Sequence, residues 1–254
     1  MTAASSLFEK IVASSINRIP DVQAERPKAS VSYSDVRVLS GNTQAWIEVK
    51  MSHHDNFANP RVFYANGMWR STNKTPAAQC LTDELNKSDR AKTFIDVISM
   101  YSNIPHDQIY IPTTRTGVRE PNAVPLETMR QFFAENAAFK YILHVDDYPL
   151  DQLITDHYTA GKKEPAHYLQ AGDDFYMISN TNPLMLPSDI PLISGRGSLR
   201  ARISVRSKFY EVQGEIKLHS LPKSKYSVLE IENKRNPFHD RQAANSSGYT
   251  TQAY

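Results

Sequence analysis

The chain has 254 residues, 40% of them hydrophobic, with 29 Lys+Arg against 27 Asp+Glu and a formal net charge of +2. With a mean hydropathy of −0.50, this composition excludes a collagen, a coiled coil and a fully disordered chain. No run of about 18 apolar residues is present, so no membrane-spanning helix is expected. The lone cysteine, Cys80, excludes an intramolecular disulfide and a cysteine-cluster zinc site.

The N-terminal stretch MTAASSLFEKIVASSINRIP lacks the basic and apolar regions of a secretory signal. A reducing, cytoplasmic setting is therefore expected. The spacing of Leu7, Phe8, Ile11, Val12 and Ile16 predicts a short amphipathic helix over 5–17. Residues 31–39 (VSYSDVRVL) and 45–51 (AWIEVKM) read as strands joined by a Gly41-Asn42 turn. Residues 52–74 read as a polar stretch with aromatic patches at Phe63-Tyr64 and Trp69. Thr75-Pro76 and Ser88 are helix starts, the second leading into the stripe Phe94, Ile95, Ile98, Tyr101. A short strand is predicted at 109–112, a helix at 124–137, a buried strand at 139–145 and a helix at 150–161 closed by Gly161.

A hairpin follows around Gly172-Asp173-Asp174, and then two strands, SLRARISVR (198–206) and FYEVQGEIKLH (209–219). From 233 the chain turns polar and is expected to form a flexible tail over 233–254. The remainder, 1–232, is expected to be a single domain. Helices and strands without regular alternation predict an α+β or mixed α/β fold.

Charge is uneven along the chain. Residues 1–195 hold 18 basic and 22 acidic side chains, a net of −4, whereas 196–235 hold 10 and 4, a net of +6. A basic module after a mildly acidic body predicts either contact with a polyanion or a solvated basic sheet face.

The stretch richest in chemistry is the first hairpin, 31–51. Strand alternation places Trp46, Glu48 and Lys50 on one face and Ala45, Ile47, Val49 and Met51 on the other. With a tight turn at Gly41-Asn42, residues whose numbers sum to 83 stand opposite each other, so Asp35 faces Glu48. Directly opposed carboxylates repel, and a hard divalent ion such as Mg²⁺ relieves the repulsion. Lys50 beside them would stabilise charge on a reacting phosphate. The competing expectation is a hairpin whose polar face is simply wet.

Asp35 followed by Glu48-Val49-Lys50 resembles the PD-(D/E)XK nuclease superfamily, although Ser34 replaces the proline of its pattern. The resemblance covers about residues 5–100. It implies a restriction-endonuclease-like core, a central mixed sheet flanked by helices, to which the C-terminal antiparallel strands 196–219 would be added. It further implies Mg²⁺-dependent hydrolysis of DNA, with Mn²⁺ able to substitute. Asp35, Glu48 and the Val49 carbonyl would then hold the metal, and Lys50 would be catalytic. The family's accessory acid on a preceding helix would be Glu9, with Glu25 as the alternative. Members often work as homodimers. The strings IEVKMSHHDNFANPRVFYANGMW, EPAHYLQAGDDFYMISNTNPL and RSKFYEVQGEIK are also similar to nuclease-like proteins of large tailed phages.

Two further features bear on partners. Arg200, Arg202 and Arg206, with Lys208 beyond, line one face of an alternating strand. They predict contact with a DNA backbone, unless Glu211 and Glu215 on the next strand neutralise them. Arg61, with Asn56 and Asn59, would lie at the edge of the cleft and touch phosphates. Glu215-Ile216-Lys217 is a rival E-x-K, but the strand before it carries no acid. His53-His54-Asp55 shows no third ligand for a dedicated metal site. A non-catalytic nucleic-acid-binding protein and a phage accessory or structural protein are the alternative readings.

Overall fold

The computed structural model describes residues 3–27, 34–114, 117–160 and 164–241. In chain order the elements are α1 (Ala3–Ile16), β1 (Val22–Glu25), β2 (Val36–Ser40), β3 (Thr43–Lys50), β4 (Asn56–Ala58), β5 (Val62–Ala65) and β6 (Met68–Ser71). Then come α2 (Pro76–Lys87), α3 (Asp89–Ser102), α4 (Leu126–Glu135), β7 (Tyr141–Pro149) and α5 (Asp151–Thr159). The last four are β8 (Tyr168–Ala171), β9 (Asp174–Met177), β10 (Arg196–Val205) and β11 (Tyr210–Ser220). The class is α+β, with multi-stranded sheets flanked by helices.

Where a single domain over 1–232 was expected, the chain forms two compact units. Unit 1 combines 1–52, 162–193 and 222–254, and unit 2 combines 53–161 and 194–221. Each unit is discontinuous in sequence, which is why no Gly- or Pro-rich linker marks the division.

Unit 1 is built on a five-stranded sheet of order β1-β2-β3-β8-β9, antiparallel except for the parallel pair β3–β8. The β2–β3 ladder runs Ser40↔Thr43 to Val36↔Ile47, the register predicted from the Gly41-Asn42 turn. Gly41 takes φ 57° there. The expected strand residues 31–33 lie outside the described residues. Helix α1 packs on the sheet through Val12, Ala13 and Ile16. The expected stripe is rotated, because Leu7 and Ile11 are 59% and 45% exposed and Glu9 points inward instead. Phe238 is buried in this core beside Phe175, and Lys234 donates to Asp174 and to the Ser224 carbonyl. Residues 233–241 are thus packed rather than part of a flexible tail, and 242–254 lie outside the described residues.

Unit 2 holds a four-stranded sheet of order β4-β11-β10-β7 and the small β5–β6 hairpin. Both predicted helix starts cap as expected, Thr75 Oγ1 accepting from Ala78 N at 3.3 Å and Ser88 Oγ from Ala91 N at 3.2 Å. Helix α5 ends at Thr159, and its expected closing residue, Gly161, lies outside the described residues. The predicted strand at 109–112 is reduced to isolated bridges, Tyr110↔Ala123 and Tyr64↔Ile111. At the β10 irregularity, Gly197 passes so close to β11 that a Cβ there would lie 1.9 Å from the Lys217 carbonyl oxygen. Gly197→Ala is therefore expected to destabilise the protein by roughly 1–3 kcal/mol. A thermal melt reads this directly, and an unchanged midpoint would show that the two strands can part at no cost.

Candidate active site

Strand β3 sets the site in unit 1. Its Ala45, Ile47 and Val49 join the core, which turns Glu48 and Lys50 to the opposite face. The last rung of the β2–β3 ladder is Val36↔Ile47, and Asp35 lies in the bend just before β2. The Asp35 Oδ2 accepts from the Val49 backbone N–H at 2.9 Å. Lys50 Nζ donates to Glu48 Oε1 at 3.0 Å. Glu48 is only 7% exposed, and Glu9 on α1 only 3%. Arg26, just past β1, donates through Nε to Glu9 Oε2.

Electrostatics binds these residues into one group. Burial, then the charge of Glu48 and, more weakly, that of Glu9, push the Asp35 carboxyl up from 3.8 to about 7. Lys50 and the Val49 N–H pull it back. Glu9 is paired with Arg26 and Glu48 with Lys50. Asp35 alone of the three acids has no ion pair among the described residues. A pair of neighbouring carboxylates with one cation on its flank can share a hard cation, and Mg²⁺ is usually held by one or two carboxylates while keeping several waters.

Glu25 pairs with Arg37 at 2.5 Å, so Glu9 is the acid that reaches the group. Among the described residues no cluster of three or more His, Cys, Asp or Glu is placed to hold a metal, which leaves Glu9 as a neighbour of the carboxylate pair rather than a third ligand. Arg26 escaped the sequence reading, because nothing in a single cation after a short strand ties it to an acid 17 residues earlier.

The arginine strand belongs to unit 2, and its middle is neutralised. The Arg200 guanidinium lies 3.6 Å from Asp146 and its Nε donates to His144 Nε2 at 3.1 Å. Arg202 lies 3.4 Å from Glu215. A free phosphate-binding stripe at Arg200 and Arg202 is thereby corrected to a set of internal pairs. The acid opposite Arg200 comes from β7, which the local sequence could not show. Arg206 and Lys208, at the β10–β11 turn, are exposed and make no ion pair among the described residues. Arg130 steadies that turn by donating to the Arg206 carbonyl at 3.3 Å and to the Ser207 carbonyl. Arg61 is likewise exposed and makes no ion pair among the described residues.

No protein-family model and no curated protein matches the sequence. Among solved structures, the chain is similar to one described as HhaI endonuclease in complex with DNA, at 13% identity over 87% of this chain and 88% of that one, with a TM-score of 0.27. At that TM-score the likeness lends no weight to any function. Among the described residues no helix is long and apolar enough to cross a membrane.

Proposed function

We propose that the protein is a Mg²⁺-dependent endonuclease that hydrolyses DNA phosphodiester bonds, with a restriction-endonuclease-like core in unit 1. The observation that carries this reading is the half-buried Asp35, held by the Val49 N–H and raised in pKa by Glu48, beside the buried Glu48 and its partner Lys50. Asp35, Glu48 and the Val49 carbonyl would hold the metal, and Mn²⁺ suits the same oxygen ligands. When bound, the cation supplies a water of lowered pKa and polarises the phosphate. Lys50 offsets the negative charge that develops on the phosphate oxygens. Glu9 holds Arg26 at the flank of the group, where a second cation favours an approaching phosphate. Cutting both strands calls for two such sites, which a homodimer would supply.

The test is incubation of purified protein with supercoiled plasmid and Mg²⁺. Nicked and linear products that vanish with chelator support the reading. An intact plasmid that is nonetheless bound would leave the protein a non-catalytic nucleic-acid-binding protein.

The unpaired cations define the expected DNA contact. Arg206→Ala and Lys208→Ala should each weaken DNA affinity and shallow the salt slope by about one. Arg200→Ala should leave the slope unchanged, because its charge is already balanced by Asp146. Titrations at several salt concentrations separate the two, and equal slopes for all three variants would remove the hairpin turn from the interface.

A further inference from the structure

The β5–β6 hairpin of unit 2 sorts its side chains onto two faces, because opposed residues of an antiparallel pair point the same way. Val62↔Ser71 and Tyr64↔Trp69 turn inward, whereas Phe63↔Arg70 and Ala65↔Met68 turn outward. Burial agrees. Val62, Tyr64 and Trp69 are at most 5% exposed, while Met68 and Arg70 are exposed and Phe63 is half-buried. On the far side of β5, Tyr64 exchanges both backbone hydrogen bonds with Ile111, at 3.0 and 3.1 Å. Ile111 is fully buried, so its neighbour Tyr110 faces outward with Phe63, and their ring centroids lie 6.0 Å apart. Charge on this hairpin has one sign. Residues 56–75 carry three cations, Arg61, Arg70 and Lys74, and no acid. All three are exposed and make no ion pair among the described residues.

The backbone edges limit what can bind. Beyond β5 lies Ile111, and beyond β6 the Asn86 side chain accepts from the Trp69 N–H at 2.9 Å and donates to the Trp69 carbonyl at 3.0 Å. These bonds occupy the groups that an added peptide strand would need. The outer face offers instead two aromatic rings beside unpaired guanidiniums. Unpaired bases stack on such rings, and their phosphates suit the cations. Duplex DNA fits less well, because its bases already stack on one another. The charge of Glu120 acts on Tyr110, so the phosphates belong on the Arg61 and Arg70 side and the bases over the rings.

We propose that the outer face of the β5–β6 hairpin binds single-stranded DNA, with bases stacked on Phe63 and Tyr110 and phosphates held by Arg61 and Arg70. The proposal rests on the nuclease reading only in taking DNA as the polymer, and not on cleavage.

The experiment uses the full chain in chelator and follows the anisotropy of a fluorescently labelled thymidine oligonucleotide of about twelve nucleotides. A mixed-sequence DNA duplex and a uridine ribo-oligonucleotide of the same length are measured beside it. Phe63→Leu keeps apolar bulk and removes the flat ring. It should weaken single-strand binding about tenfold and leave duplex binding unchanged. Tyr110→Leu should act in the same direction, and Tyr110→Phe should be neutral. Arg70→Gln, an exposed change that tests the face if Phe63→Leu fails to fold, should weaken single-strand binding and shallow its salt slope by about 0.7. Arg200→Gln should do neither, because its charge is paired with Asp146. Unchanged single-strand affinity in a folded Phe63→Leu, or in Arg70→Gln, overturns the proposal, as does an equal loss for duplex and single strand in Phe63→Leu. Tighter binding of the ribo-oligonucleotide overturns the choice of DNA. Single-strand binding that depends on Phe63, in a protein that never nicks plasmid, would refute the nuclease reading and leave this site standing. A protein that nicks plasmid while its single-strand affinity is indifferent to Phe63 and Arg70 would do the reverse.

Discussion

Asp35→Asn and Glu48→Gln should each lower Mg²⁺-dependent cleavage by roughly a hundredfold or more, without unfolding the protein. Each change keeps the side chain's shape and removes one negative charge, and an amide oxygen is a poorer Mg²⁺ ligand than a carboxylate. In Asp35→Asn the Val49 N–H can still donate to the amide oxygen that remains, so the contact now made at 2.9 Å survives. In Asp35→Asn the melting temperature in chelator should stay level or rise, because the repulsion between neighbouring carboxylates is relieved, whereas in Glu48→Gln the loss of the ion pair with Lys50 offsets that gain. DNA affinity without metal should also hold or strengthen, since a negative charge near the phosphates is gone. Dead catalysis with an intact fold and retained binding is the signature of a metal-carboxylate site. If Glu48→Gln nicks plasmid at the wild-type rate, Glu48 is no ligand and the hairpin's polar face is merely wet. If Glu215→Gln is the inactive variant instead, the chemistry belongs to the second E-x-K.

The part of this site that could be read in advance is the part set by local rules. A Gly-Asn turn specifies the β2–β3 register as far as Val36↔Ile47, and alternation turns Glu48 and Lys50 away from Ile47 and Val49. Glu9 was accessible through the family pattern but not through helix periodicity, which favoured Leu7 and Ile11 as buried positions and left Glu9 outside. What could not be read is what depends on distant segments. Arg200 is neutralised by Asp146, 54 positions earlier, only because β7 pairs with β10. Phe238 is one apolar residue in a polar run, and its burial depends on Phe175 and the rest of the unit 1 core. One miss had a local signal. Asn66-Gly67, both in the left-handed region at φ 51° and 76°, close the β5–β6 hairpin in a stretch read as merely polar, although Asn-Gly is among the strongest hairpin signals.

The metal-free protein should lose stability as the pH rises from about 4 to about 8, and Asp35 should be a main cause. In the folded chain its carboxyl holds a proton up to about 7, whereas in the unfolded chain it releases it near ~3.9. Between those values the native state binds more protons than the unfolded state, so stability falls with rising pH. The contribution is complete below the unfolded pKa, declines as the pH climbs to about 7, and is lost above it. Its size is roughly 2–4 kcal/mol, the rise of the Asp35 pKa on folding discounted for partial solvent access. Asp35→Asn should flatten this part of the profile and be the more stable protein at alkaline pH. Mg²⁺ should act in the opposite sense, because binding requires the ionised carboxylate. Its stabilising effect should therefore be larger at pH 8 than at pH 6 for the wild type, and nearly absent in Asp35→Asn. Thermal melts across this pH range, with and without Mg²⁺, measure all of these quantities. Parallel pH profiles for wild type and Asp35→Asn would show that Asp35 is not the buried, proton-holding member of the pair. A Mg²⁺ shift independent of pH would place the cation on other ligands.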